Sequence, residues 1–191
     1  MTVLPIVTVG DPVLRERAAE VGAERLATPE VQRLIDDMIE TMRDAGGAGL
    51  AANQIGELLR IAVIEVDHNP RYPYKPPIPL TIVVNPIIEQ IDDEQFENME
   101  GCLSVPNMRG RVPRWVNVRV RYWDRDGNEH DEVRCGLAAG TFQHECDHLD
   151  GVVFLDRVID TRTLTTWEMF ERYHKDAFFE EMRQFVARVG S

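Results

Sequence analysis

The sequence predicts an α+β fold, with antiparallel or mixed β-sheets packed around a central helix and a further helix at the C-terminal end. Three observations predict it. Val31, Leu34, Ile35, Met38, Ile39 and Met42 fall at helical spacing. Val116, Val118, Val120 and Tyr122 alternate with polar residues ahead of the turn signal Asp126-Gly127. Two later stretches, around His144 and after Thr163, return to helical character. Antiparallel strands with helices before and after them suit an α+β domain. At 191 residues the chain is read as one domain, residues 1–191, with no internal linker or repeat.

The elements follow in order. Asp11-Pro12 is an N-cap followed by proline at the first helical position, opening a short helix through Leu14. Thr28-Pro29-Glu30 repeats the signal before the amphipathic helix, which ends at Gly46-Gly47. The glycine-dense run from Gly47 to Gly56 lets the backbone approach a ligand or another strand closely. Arg60 to Val66 reads as a strand, and residues 67–79, with five of the eleven prolines, as a surface loop. Leu80 to Asn85 is a β-branched strand that Pro86 should stop. Asp126-Gly127 joins the alternating strand to a returning one from Glu129 to Arg134. The next helix begins near Leu137 and ends at Gly151 as a left-handed cap. A single helix is expected from about Thr163 towards Val189, its aromatic stripe used for packing.

Composition narrows the function. Hydrophobic residues make up 43% and charged residues 28%, an ordinary globular mixture. A net charge of −12 argues against broad binding to DNA or to an anionic membrane, because counterion release needs a basic face. No apolar run approaches the length of a membrane span. Met1-Thr2-Val3-Leu4-Pro5 lacks the pattern of a signal peptide. The three cysteines, Cys102, Cys135 and Cys146, are too few for a disulfide framework, so a reducing cytoplasm is the expected compartment.

Chemistry enters at Gln143-His144-Glu145-Cys146-Asp147-His148, an H-E-x-x-H motif. On a helix, positions i and i+4 share a face, so His144 and His148 can offer two imidazoles to one metal ion. Glu145 then stands where it can handle a proton. Cys146 points elsewhere on the helix, and Cys135 reads as core. Asp147 and Gln143 are candidates to orient the histidines or to be solvated helix residues. His68, His130 and His174 fit no ligand spacing and read as surface residues.

A catalytic metal usually takes three protein ligands, and three candidates bear on the third. A histidine six residues past His148 is ruled out, because Phe154 stands there. Glu168, twenty positions past His148, would make a glutamate-completed metallopeptidase, although its ordinary reading is a solvated helix position. Cys102, within Glu100-Gly101-Cys102-Leu103-Ser104, would make a thiolate–imidazole site suited to a borderline-soft ion.

Three segments in order, Gly47 to Gln54, Glu100 to Ser104 and Gln143 to His148, resemble the signature motifs of the peptide deformylases, and the resemblance extends over nearly the whole chain. It implies that Cys102, His144 and His148 bind the metal, with water fourth. It implies that Glu145 is the general base and then the acid, and that the Gln54 amide and the Leu103 backbone N–H form an oxyanion hole. It also implies that Gly49 and Gly101 adjoin the substrate. The implied activity is removal of the formyl group from the N-terminal formyl-methionine of nascent chains, with transient ribosome contact. The implied cofactor is one divalent ion, Fe(II) foremost, with Zn(II), Ni(II) or Co(II) able to replace it. The glycines before Gln54 suit an edge on which a substrate main chain adds as a strand.

Overall fold

The structure is a computed structural model that describes residues 2–67 and 73–190. Asp11 caps a 3-10 turn over Pro12–Arg15, its side chain accepting from the Val13 N–H. A one-turn helix α1 (Ala23–Leu26) precedes α2 (Pro29–Asp44), which opens on Thr28 and on Pro29 at its first position. Strand β1 (Gly49–Ala51), a 3-10 turn over Ala52–Ile55, and strands β2 (Ile61–Val66) and β3 (Ile78–Gln90) follow. Then come β4 (Gln95–Cys102), β5 (Val105–Trp115), β6 (Asn117–Trp123) and β7 (Glu129–Cys135). The chain continues through α3 (Gly136–Leu149), α4 (Phe154–Arg157), a short β8 (Thr165–Thr166), α5 (Trp167–Tyr173) and α6 (Lys175–Val189).

The strands form two antiparallel sheets, one of five strands in the order β1-β2-β3-β6-β7 and one of three in the order β4-β5-β8. Period-two alternation divides the first sheet's residues between two helices. Ile61 and Val63 face α2, packing with Ile35, Met38 and Met42. Ala62 and Ile64 face α3, packing with Ala139, Phe142 and Leu149. The second sheet sends Phe96 and Met99 against Leu137 of α3 and against Phe178, Met182 and Phe185 of α6. Helix α3 therefore lies between the sheets and is buried on nearly every side. It stops where Gly151 takes φ 74°; a Cβ there would stand 2.5 Å from the Arg15 carbonyl oxygen, so only glycine fits.

Several expectations need correction. Strand β3 does not stop at Pro86. Asn85 takes φ 51° in a bulge between Val84 and Ile87, which lets the strand pass the missing proline N–H and continue. The Asn85 side chain fixes that turn by accepting from the Val21 N–H and donating to the Val21 carbonyl. The expected C-terminal helix is interrupted: β8 precedes it, and α5 gives way to α6 at His174. The expected surface loop over residues 67–79 is not all surface, since Tyr74 is buried against Phe178 and Phe179, and Ile78 and Pro79 already belong to β3. His68 and Pro70 lie outside the described residues. Cys135 is half-buried rather than core. His174 is exposed as expected, whereas His130 is half-buried, stacked on Tyr122 and hydrogen-bonded to Asp124.

Candidate active site

The site forms where β1, the β4–β5 hairpin and α3 meet. Helical periodicity puts His144 and His148 on one face of α3, and the tight β4–β5 turn brings Cys102 to it. The ligand atoms of Cys102, His144 and His148 all lie within 4.8 Å of one another, and Cys102 Sγ is 3.1 Å from His148 Nε2. One sulfur and two imidazole nitrogens converging from buried elements fit a divalent transition metal. Glu168 is exposed on α5 and takes no part in this cluster.

The surroundings hold these side chains in place. Glu100, 5% exposed, places Oε2 2.9 Å from His144 Nδ1, which leaves Nε2 for the cluster. Arg114 grips the same carboxylate with two donors, Nε to Oε1 at 2.8 Å and a terminal nitrogen to Oε2 at 2.9 Å. Its other terminal nitrogen donates to Asp147 at 2.6 Å. Burial alone would push the Glu100 carboxyl up, but Arg114 and His144 together hold it well below the usual carboxylate range. Asp147 thus acts on His144 only through Arg114 and Glu100, and Gln143 bonds the Trp115 backbone rather than either histidine. Both departures come from the β4–β5 hairpin, which supplies Glu100 and Arg114 and whose buried polar residues gave no strand signal.

On the other side of the cluster, Gln54 accepts from the Ala51 N–H at 2.8 Å through its carbonyl. That fixes its amide nitrogen toward Cys102 Sγ at 3.4 Å and Ser104 Oγ at 3.1 Å. The Ser104 N–H also points at Cys102 Sγ, at 3.4 Å. Burial opposes ionisation of Cys102, yet the two histidines bring its thiol down to about 5. Glu145 is 4% exposed, and burial raises its carboxyl above the ordinary value against the pull of His144 and His148. Gly49 touches it closely: a Cβ on Gly49 would stand 2.3 Å from Glu145 Oε1. Gln54, Gly49, Gly101, Cys102, Leu103, His144 and Glu145 all line one cleft, which the fully buried His148 backs. Cys146 is buried away from the cleft, and its thiol is pushed up to about 12 by burial. Lys75, Asn98 and Thr141 also line the cleft; none is marked by a sequence motif.

A Cys-His-His cluster at the floor of a cleft, with a buried glutamate beside it, is the centre of a metal hydrolase. The polypeptide deformylase family model matches residues 3–163, and the chain belongs to this family. It is 41% identical over 158 residues to a peptide deformylase of Nitrosomonas europaea, covering 83% of this chain and 89% of that one. It is 46% identical over 155 residues to one of Bordetella pertussis, covering 81% and 87%. The crystal structure of a class I type b peptide deformylase from Acinetobacter baumannii with Met-Ala-Ser bound superposes with TM-score 0.79 at 38% identity, over 82% of this chain and 99% of that one.

Proposed function

We propose that the chain, as a single catalytic domain over residues 1–191, removes the formyl group from N-formyl-methionyl nascent peptides in the cytoplasm. The observation that carries this reading is the Cys102–His144–His148 cluster set in one cleft with Glu145 and Gln54. Cys102, His144 and His148 would hold the ion, which supplies Lewis acidity to polarise a formyl carbonyl and acidify water. Ferrous iron is our assignment, with zinc, nickel or cobalt as replacements; the thiolate and two imidazoles accept all four.

The remaining chemistry belongs to the chain. Glu145 takes the proton of the attacking water and returns it to the leaving amine, a role that suits a carboxyl whose affinity for protons is raised by burial. Negative charge develops on the formyl oxygen, and the Gln54 amide, already fixed by Ala51, and the Leu103 backbone N–H donate to it. Gly49 lies at the free edge of the five-stranded sheet, where a peptide main chain can add as a strand, with Gly101 opposite. A net charge of −12 supports a peptide rather than DNA or a membrane as partner, and contact with the ribosome would be transient.

The test is formate release from formyl-Met-Ala-Ser by anaerobically iron-loaded protein. Glu145→Gln should reduce formate release to a small residual rate while the ion stays bound. Gln54→Ala should cost about a hundredfold in kcat. Absence of formate release from the loaded wild type would refute the reading.

A further inference from the structure

The two imidazoles of the cluster are held differently. His144 Nδ1 has Glu100 Oε2 as its partner at 2.9 Å. His148 also turns Nε2 inward, 3.1 Å from Cys102 Sγ, but among the described residues its Nδ1 has no hydrogen-bond partner. His148 is 0% exposed, so bulk water does not reach that nitrogen. An imidazole that ligates through one nitrogen carries its proton on the other, and that N–H needs an acceptor to fix the ring. Left bare in a buried site, the N–H bears the full cost of its lost hydration.

The complementary atom belongs to the residue bonded to His148's own backbone. Asn53, also 0% exposed, stands in the 3-10 turn over Ala52–Ile55, next to Gln54. Its Nδ2 donates to the His148 carbonyl in the last turn of α3. A carbonyl only accepts, so the amide cannot sit the other way round, and Oδ1 is the end left over. Among the described residues Oδ1 likewise has no partner. An unpaired acceptor and an unpaired ring nitrogen thus belong to two buried residues already joined by a hydrogen bond. Resting on the metal-site part of the deformylase reading, we propose that Asn53 is a positioning residue for His148. Its Oδ1 accepts the Nδ1–H, directly or across one buried water, and so aims Nε2 at the ion. His144 is then oriented by a carboxylate and His148 by a neutral amide. The turn that presents Gln54 to Cys102 also fixes a metal ligand.

The experiment uses the full chain loaded with zinc, a diamagnetic ion that the donor set accepts, and reads binding rather than turnover. With isotopically labelled histidine, proton–nitrogen NMR should show the His148 Nδ1–H at the downfield position of a hydrogen-bonded proton. Asn53→Leu, close in shape but without an acceptor, should move that proton upfield and weaken zinc about 10–100-fold by chelator competition. Asn53→Asp keeps an acceptor and should retain most of the zinc affinity that Asn53→Leu loses, although both variants disturb the bond to the His148 carbonyl. If Asn53 merely ties the turn to α3, the two variants lose zinc alike, and that result overturns the proposal. So does an unchanged zinc affinity in Asn53→Leu, or a wild-type His148 Nδ1–H without the downfield shift. The wild-type spectrum needs no substitution, so a variant that fails to fold leaves the proposal open to refutation. A wild type that takes up no zinc overturns the metal-site reading along with it. Zinc uptake without formate release by the iron-loaded protein would overturn the deformylase reading and leave this inference standing.

Discussion

Gly49→Ala tests the geometry of the site most directly, because it adds one methyl group and no charge. The added Cβ would lie 2.3 Å from Glu145 Oε1, 2.5 Å from its Cδ and 2.8 Å from its Cγ. Ordinary carbon contacts begin near 3.4 Å, so the carboxylate must retreat by about 1 Å. It has little room, being 4% exposed on a helix wedged between two sheets. A displacement of that size in a reacting group costs about a hundredfold in rate. The expected result is a loss of about 10² in kcat/KM for formyl-Met-Ala-Ser, with bound iron unchanged by elemental analysis. If the loss runs through Glu145, it must vanish once Glu145 is gone: Gly49→Ala added to Glu145→Gln should cost nothing further. Gly47→Ala is the control, since its Cβ meets mainly the mobile end of Leu103, at 2.9 Å, and should cost far less. Wild-type turnover in Gly49→Ala, or full additivity with Glu145→Gln, would refute the reasoning.

Other predictions follow from the same contacts. Cys102→Ser should lose the ion and Glu168→Ala should keep it; the reverse in elemental analysis would restore the glutamate-completed alternative. Arg114→Met leaves Glu100 buried with His144 as its one remaining side-chain hydrogen-bond partner among the described residues, so urea unfolding should show a loss of about 3–5 kcal/mol, and a loss under 1 kcal/mol would deny the bridge its role. Cys146 should resist alkylation in the native protein at pH 8 while half-buried Cys135 reacts. Its folded thiol is raised, so the stability it contributes is complete below the ordinary value of 9.0 and is lost as pH rises from there towards about 12. Wild-type stability should therefore fall by up to about 1.4 kcal/mol per pH unit above pH 9, and Cys146→Ala should flatten that slope.

The legible parts of the fold are those in which local chemistry and tertiary structure agree. Asp11-Pro12 and Thr28-Pro29 cap their helices as their side chains dictate, and Gly151 ends α3 in the left-handed conformation that its neighbour Arg15 enforces. The β6–β7 hairpin follows from alternation and from Gly127 at φ 82°. The parts that were not legible are those where a tertiary partner overrides a local signal. Pro86 reads as a strand breaker because its missing N–H is visible, whereas the bulge at Asn85 that accommodates it depends on a distant hydrogen bond to Val21. Tyr74 sits among prolines, and the aromatic face of α6, over a hundred positions later, packs against it.

The β4–β5 hairpin shows why function and fold compete for the same signal. Period-two reasoning looks for apolar residues on the buried face, yet this hairpin buries Asn98, Glu100, Arg109 and Arg114. Each of these is costly in a core without a partner. Arg114 is neutralised by Glu100 and Asp147, and Arg109 lies between the rings of Trp167 and Phe170 at 4.5 and 4.3 Å. Glu100 is held by Arg114 and in turn accepts from His144 Nδ1, which turns Nε2 toward the cluster. Asn98 Oδ1, an acceptor, has no hydrogen-bond partner within the described residues. The residues that hide the strands from the sequence are thus ones that orient the site and line its cleft, whereas His144 and His148 are legible from their i, i+4 spacing and Cys102 from the family resemblance of its segment.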